Sequence, residues 1–266
     1  MKSFDQEHLN KIRKRFTITA DPFAVTVRSR AREVERLAEM VTADYPNLPR
    51  SRALDVCCGP GTFGRALAPR TGRVVGADFT PAMLAQARSI SAEAGLGNIE
   101  FVCCDGNTLP FADGSFDFAI CTFAFHHLLE PARVLGEMAR VARKGGRVAI
   151  VDAVMPERAD RNLNTHIERL RDSSHAAMFT ESGLRELLRE GGLRVIASNL
   201  NSRDRDFDDW MFGAGWAPST PTYADVRREI EATMADDAAG FAPRLDSGSG
   251  ALMVTQAALS LVATKD

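Results

Sequence analysis

The stretch LDVCCGPGTFG, residues 54–64, decides the fold. An apolar run ends here in a glycine-rich loop, and a helix is predicted to begin near Thr62. Gly59, Gly61 and Gly64 fit the pattern G-x-G-x-x-G, which lets a backbone approach the pyrophosphate of a dinucleotide. The amino end of the following helix attracts an anion, whether pyrophosphate or carboxylate. The loop therefore predicts an anionic ligand at the end of a first strand without deciding which ligand it is.

Short apolar runs alternate with helical stretches after this loop. Helix starts are predicted at Thr80-Pro81 and at Thr180, because a hydroxyl at the N-cap and a proline at N1 are typical there. Such alternation predicts an α/β fold, a Rossmann-like and mainly parallel sheet of seven strands with helices on both faces. The predicted strands are RALDVCC, RVVGADF, NIEFVCCD, FDFAICTF, RVAIVDAV, LRVIASNL and QAALSLVAT.

Three segments fall outside this alternation. Residues 1–45 are predicted to form an N-terminal cap of two helices ahead of a ligand-binding domain at 46–266. Residues 153–179 form a polar connection, and residues 201–250 form an insertion before the last strand that we interpret as a lid. The insertion carries aromatic residues that either line a site for a flat or apolar substrate or anchor the lid to the core: Trp210, Phe212, Trp216 and Tyr223.

Composition restricts the partners and the compartment. The 266 residues include 33 basic and 35 acidic side chains, a net charge of -2, so there is no electrostatic footprint for nucleic acid. No apolar run has the length of a membrane span, and the N-terminus lacks the apolar core of a signal peptide. We therefore expect a cytoplasmic protein with no membrane partner, and the sequence leaves a homo-oligomer open.

The cysteines agree with a reducing compartment, because an odd number with two vicinal pairs is a poor disulfide framework. Adjacent residues of a strand point to opposite faces, so neither pair chelates an ion easily. We expect these thiols to pack in the interior, and we predict no metal site. The five are Cys57, Cys58, Cys103, Cys104 and Cys121.

Acidic residues follow the second and third strands. Asp78 ends the second strand, where a carboxylate can accept both hydroxyls of a ribose, and Phe79 beside it can pack on adenine. Asp105 ends the third strand and can accept from the adenine amino group. Both NAD and S-adenosylmethionine (SAM) contain an adenosine, so these residues alone leave both cofactors open.

Four segments in order resemble the class I SAM-dependent methyltransferases, in particular the small-molecule branch related to ubiquinone and menaquinone biosynthesis. They are LDVCCGPG, GADFTPAMLAQAR, CDGNTLPFADGSFDFAICTFAFHHL and VLGEMARVARKGGRVAIVD, which together run from Leu54 to Val151. The stretch IERLRDSSHAAMFTESGLRELLREGGLRV is also similar to this branch. The resemblance implies that residues 46–266 form a SAM-binding methyltransferase domain whose seventh strand is antiparallel between the fifth and sixth.

The resemblance also implies the site residues and the chemistry, a methyl transfer from SAM to oxygen, carbon or nitrogen of a small-molecule acceptor, with S-adenosylhomocysteine as product. Asp55, Gly59 and Gly61 would shape the pocket for the methionine part of SAM, and Asp78 would hold the ribose. The others would lie beside the adenosine or the sulfonium: Phe79, Met83, Asp105, Gly106, Thr122 and Phe123. Cys57 stands where the family usually has glycine, so we expect its side chain to narrow the pocket.

Histidines are the candidates for a general base. His126 and His127 end the fourth strand, and His175 lies in a connection that can fold over the site. We select His127 and His175 as candidate catalytic residues, with a structural role open for each, and we interpret His8 and His166 as surface residues.

Two other functions remain open. An NAD(P)-dependent oxidoreductase of the common kind needs Tyr-x-x-x-Lys, and neither Tyr45 nor Tyr223 has a lysine four residues later. A SAM-fold protein that binds the cofactor without methylating, as a binding module or as a pericyclic or carboxyl-transfer catalyst, is the second alternative.

Overall fold

The computed structural model describes residues 7–8, 10–13 and 31–266. Residues 1–6, 9 and 14–30 of the predicted N-terminal cap lie outside the described part of the chain. The described residues before position 14 are helical. The longer helices are α1 (Ala31–Thr42), α2 (Thr62–Leu67), α3 (Pro81–Glu93), α4 (Pro131–Val141), α5 (Arg161–Arg171), α6 (Glu181–Glu190), α7 (Phe207–Phe212) and α8 (Pro221–Ala232). The strands are β1 (Arg52–Val56), β2 (Arg73–Asp78), β3 (Ile99–Cys103), β4 (Phe116–Thr122), β5 (Ala142–Val154), β6 (Leu193–Asp206), β7 (Arg244–Leu245) and β8 (Leu252–Lys265).

Within the described residues, the strands form one sheet in the order β3-β2-β1-β4-β5-β8-β6, with the short β7 paired to β8. β1 is parallel to both β2 and β4. β8 is antiparallel to both of its neighbours, β5 and β6. The predicted mainly parallel sheet with its last long strand antiparallel is therefore confirmed. The strand order reverses between β1 and β4, and ligands of open α/β sheets bind at the carboxyl ends of the strands beside such a point.

Apolar side chains fill the space between the sheet and the helices on both faces. Each fully buried side chain of this kind contributes about 1.5–3 kcal/mol relative to its exposure, so the two layers together hold the sheet in place. α1 and α2 cover one face through Leu37, Val41, Phe63 and Leu67. α4 and α6 cover the other through Val134, Met138, Leu184 and Leu188.

The two predicted threonine caps differ. Thr180 Oγ1 accepts a hydrogen bond from the Gly183 N–H at 3.1 Å, which confirms the cap of α6. Thr80 occupies the N-cap of α3 but makes no side-chain cap bond. Its side chain bonds to Asp78 instead, so the start of α3 is tied to the acid that ends β2.

The late insertion begins further along the chain than the sequence suggests. β6 extends to Asp206 and β8 begins at Leu252, so residues 201–206 lengthen the sheet. Residues 207–251 hold α7, α8 and β7 and pack on α5 through Ile167. None of the described helices has the length and apolar character needed to cross a membrane.

Aromatic residues anchor the insertion. Trp210 is fully buried against Phe207 and Phe241, with ring centroids 5.8 and 5.4 Å apart. The Trp216 indole N–H donates to the Arg171 carbonyl of α5 at 2.6 Å. Phe212 is 70% exposed. Trp210 and Trp216 therefore anchor the insertion to the core, which is one of the two alternatives that the sequence leaves open.

Candidate functional site

A cavity opens at the carboxyl ends of β1, β2 and β4, beside the reversal in strand order. It encloses about 880 Å³ of space, including the part open to solvent. The glycine loop, the start of α3 and the turn after β4 supply most of its wall, which is largely apolar. The wall also contains the carboxyl group of Asp78 and the imidazole of His127.

The glycine loop keeps its backbone open to the cavity. Gly59 has φ 51°, and a Cβ added there would meet nothing within 4 Å. Gly61 has φ 73°, and a Cβ there would lie 2.9 Å from the Phe101 ring. This left-handed backbone favours glycine at both positions, and the Phe101 ring leaves no room for a Cβ at Gly61 in particular.

Asp55 supports the loop from beneath. It is 1% exposed, and its Oδ2 accepts from the Gly64 N–H at 2.8 Å. Its Oδ1 has no hydrogen-bond partner among the described residues. Burial raises the pKa of Asp55 from 3.8 to about 7, against the opposing effect of the Gly64 bond. Asp55 therefore holds the first turn of α2 without being part of the cavity wall.

Asp78 lies in the wall of the cavity and is itself buried. Its Oδ2 accepts from the Gly59 N–H at 2.9 Å, and its Oδ1 accepts from the Thr80 N–H at 2.8 Å. Burial raises its pKa, and these hydrogen bonds oppose the rise. The Thr80 side chain also bonds to this carboxylate, so hydroxyls of a ligand at Asp78 would share or replace these contacts.

Cys57 adopts a left-handed backbone, with φ 54°, in the position where glycine was expected. It lines the cavity, yet its sulfur also packs beside Gly106 and hydrogen-bonds to Cys121. That hydrogen bond, then burial, raises the pKa of Cys121 well above 9, and burial raises that of Cys104 to about 11. Cys121 and Cys104 are therefore protonated at neutral pH; Cys103, in contrast to the expected packing in the interior, is exposed.

The described N-terminal residues close one side of the cavity. Ile12 lines it, and the Arg13 guanidinium lies over the Phe79 ring at 5.6 Å. His8 Nε2 hydrogen-bonds to the His127 carbonyl oxygen at 2.8 Å. The interpretation of His8 as a surface residue is wrong, because it is buried in this contact; His166 is exposed as expected.

Three histidines meet at the end of β4. The ring of His126 lies 4.1 Å from that of His127 and 4.5 Å from that of His175, between centroids. All three are buried. Burial and the charge of His126 lower the pKa of His127 to about 3, and burial, His126 and His127 lower that of His175 well below 6.5. Both imidazoles are neutral at neutral pH.

Asp152, at the end of β5, orients this cluster, and sequence reasoning missed it. It is fully buried, its Oδ1 is hydrogen-bonded to His126 Nδ1, and its Oδ2 accepts from the His126 N–H at 3.0 Å. His127 Nδ1 lies 3.0 Å from the Ser174 carbonyl oxygen. An acid at the carboxyl end of a predicted parallel strand was the available signal for Asp152; nothing local marks Ser174.

The structure separates the predicted site residues into two groups. Those in the cavity wall are Gly59, Asp78, Phe79, Met83, Thr122, Phe123 and His127. Those outside the wall are Asp55, Gly61, Asp105, Gly106 and His175. Asp105 is exposed and accepts from Asn107. Apolar wall residues that the sequence did not single out include Val34 and Leu128.

Comparisons with known proteins agree with this architecture. A family model described as a methyltransferase domain matches residues 54–150. The uncharacterized methyltransferase YcgJ of Bacillus subtilis is 37% identical over 181 residues, covering 67% of this chain and 69% of that protein. A demethylmenaquinone methyltransferase of Clavibacter sepedonicus is 40% identical over 105 residues, so the chain spans only 42% of that relative.

Solved structures share the fold. BH2331 from Bacillus halodurans C-125 superposes with a TM-score of 0.78 and 25% identity, covering 87% of this chain and 98% of that one. YcgJ superposes with a TM-score of 0.76 and 25% identity over 86% of this chain and 98% of its own. The sequence similarity of this chain to YcgJ, its methyltransferase domain and its fold all agree. The chain is therefore an enzyme that belongs to the class I SAM-dependent methyltransferases.

Proposed function

We propose that this enzyme binds SAM in the cavity and transfers its methyl group in line to a small-molecule acceptor at the His127 end. One observation carries the proposal: the buried Asp78 carboxylate stands in a largely apolar wall, next to a glycine whose Cβ position is open space. A carboxylate there suits a vicinal diol, and an apolar wall suits the flat base that accompanies it.

The residues present fit this cofactor. Asp78 would hold the ribose hydroxyls, with Phe79 and Met83 beside the adenosine. The open backbone at Gly59 leaves room for the amino-acid part. Bound SAM supplies a methyl group that is activated by its positively charged sulfur. The chain has to bind and orient both partners and keep water out.

The acceptor end of the cavity is apolar around one imidazole. Ile12, Ala124 and Leu128 lie in the wall that also contains His127. Such a wall favours an aromatic or apolar acceptor, in agreement with relatives named demethylmenaquinone methyltransferases. In this proposal the N-terminal cap excludes water from the cavity, to whose wall it contributes Ile12. The insertion at residues 207–251 packs on α5 and contributes no residue to that wall, so its role is to brace α5.

The two predicted catalytic histidines receive different roles. His127 is in the cavity wall and is the imidazole that an acceptor would contact. His175 lies behind it, with ring centroids 5.1 Å apart, and acts as a positioning residue. We therefore expect replacement of His127 to reduce methyl transfer more than SAM binding, and replacement of the cofactor residues to reduce SAM binding first.

Calorimetric titration with SAM tests the cofactor site. We expect Asp78→Ala to weaken SAM binding by about 150-fold or more, because two charge-assisted hydrogen bonds of about 1.5–3 kcal/mol each contribute at least about 3 kcal/mol together. Asp225→Ala, which removes an exposed carboxylate paired with Arg228, should leave SAM binding unchanged. Thermal melting of each variant checks that the fold is intact. Equal SAM affinity in the folded Asp78→Ala variant would refute this site.

The non-methylating alternative is tested separately. The [4+2]-cyclase SpnF has the same fold, with a TM-score of 0.59 at 20% identity, a likeness that shows the fold alone. Release of S-adenosylhomocysteine with a panel of quinone, phenol and amine acceptors would support methyl transfer. Tight SAM binding with no release across the panel would favour the alternative.

A further inference from the structure

His175, far along the chain from the adjacent His126 and His127, brings a third ring nitrogen close to theirs. One ring nitrogen from each of His126, His127 and His175 lies within 4.8 Å of the other two. A tetrahedral zinc site with Zn–N bonds of about 2.0–2.1 Å needs its nitrogens about 3.4 Å apart. Nitrogens at the 4.8 Å limit would have to approach by about 1.4 Å to bind such an ion.

The second nitrogen of each ring already faces an acceptor. For His126 it is Nδ1, bonded to the Asp152 carboxylate. For His127 it is Nδ1, which lies 3.0 Å from the Ser174 carbonyl oxygen. For His175 it is Nε2, which lies 3.8 Å from a Glu168 carboxylate oxygen, beyond hydrogen-bond distance. Histidine ligands of metals nearly always donate their other N–H to a carboxylate or a carbonyl in this way.

The remaining nitrogen of His175 is a second, independent observation that points to a metal ligand. His175 is 4% exposed, and its Nδ1 has no hydrogen-bond partner among the described residues. An unsatisfied buried nitrogen costs about 1–3 kcal/mol. A metal ion bound to Nδ1 would remove this cost, with Nε2 directed to Glu168.

The charge around the cluster also suits a cation. Asp152 is fully buried, and no Lys or Arg of the described chain forms an ion pair with it. Its partners are His126 and two backbone N–H groups. Glu168, by contrast, is paired with Arg171. A buried carboxylate without a cationic partner is costly, and a divalent ion on the far side of His126 would balance its charge.

We propose that His126, His127 and His175 bind a first-row transition metal ion of the Zn²⁺ class, through His126 Nε2, His127 Nε2 and His175 Nδ1. Three imidazoles leave a fourth position. Because His127 lines the cavity, that position would be available to an oxygen or nitrogen of the acceptor. This site departs from the expectation that the chain has no metal.

Cobalt titration of the tag-free, EDTA-treated full chain tests the site without SAM, so its outcome is independent of the cofactor proposal. We expect one equivalent of Co²⁺ to bind with the intense visible absorption of a four-coordinate ion, and Zn²⁺ to displace it. His175→Ala and His127→Ala should each weaken binding by more than the roughly 10–100-fold typical of a lost outer-shell contact.

The matched control is His166→Ala, an exposed histidine of α5, which should bind Co²⁺ as the unchanged protein does. Melting temperatures measured with and without Zn²⁺ give a second readout, since an ion that binds the folded state raises them. Absence of Co²⁺ binding to the unchanged protein, or equal binding by folded His175→Ala, would overturn the proposal. If His175→Ala does not fold, the titration of the unchanged protein and of His127→Ala decides.

Discussion

Asp55 is an ionisable residue that is almost completely buried, so the effect of Asp55→Asn on the pH dependence of stability can be calculated. The carboxyl accepts from the Gly64 N–H through Oδ2, and Oδ1 has no described partner. Burial, the largest cause, raises its pKa from 3.8 to about 7. Asp55→Asn keeps an oxygen for the Gly64 N–H and removes the group that can ionise.

The sign follows from proton linkage. A folded-state pKa above the unfolded value means that the folded protein binds the proton more tightly. The contribution of Asp55 to stability is therefore fully present below about pH 4 and is lost as the pH rises to about 7. Each pKa unit corresponds to about 1.4 kcal/mol. Between about pH 5 and pH 8, the unchanged protein should lose about 3 kcal/mol through this group.

Urea unfolding at several pH values measures the effect. We expect the free energy of unfolding of Asp55→Asn, relative to the unchanged protein, to increase by about 3 kcal/mol from about pH 5 to pH 8. Neighbouring charges that also act on this carboxyl, Asp78 and Arg65, are present in both proteins. Asp105→Asn, at an exposed carboxylate, is the control. A difference between Asp55→Asn and the unchanged protein that stays constant with pH would refute the reasoning.

Three further predictions follow from the same geometry. Gly61→Ala should destabilise the protein by about 2 kcal/mol or more, because it adds a left-handed alanine and a contact with Phe101 at 2.9 Å. Urea unfolding measures the loss against Gly97→Ala, where a Cβ meets nothing within 4 Å. Equal stability of the two variants would contradict the prediction. Trp210→Ala should lower the free energy of unfolding by about 3–5 kcal/mol, because the side chain is fully buried. Phe212→Ala, at a side chain that is 70% exposed, should change it by about 0.5 kcal/mol or less. A similarly small change in Trp210→Ala would show that the insertion is not anchored there. Asp105→Ala should keep SAM affinity within about threefold, or about 0.7 kcal/mol, because Asp105 is exposed outside the cavity wall. A loss of SAM affinity in calorimetry as large as that of Asp78→Ala would instead support the adenine contact that the family resemblance implies.

Most of the predicted cofactor residues line the cavity, and their position at one edge of the sheet could be predicted from the sequence. Gly59, Asp78 and Thr122 each end or follow a strand, and parallel strands that neighbour one another must bring these ends to one edge. The adenine contact of Asp105 stays a prediction. Asp105 follows the edge strand β3, which ends at Cys103, and its side chain accepts from Asn107 in an exposed Asx turn.

What the sequence by itself determined is the order and type of the elements, the glycine loop and the acid after β2. Hydrophobic periodicity and turn residues are local signals, and they fix each element from its own residues. Tertiary structure alone decided the convergence of His126, Asp152 and His175. These side chains come from the ends of β4 and β5 and from the loop after α5, so their distances depend on how β5 pairs with β4 and how α5 is held by the insertion. Burial set the pKa values of Asp55 and His127, and burial is a property of the packed molecule, because desolvation sums over residues far apart in the chain.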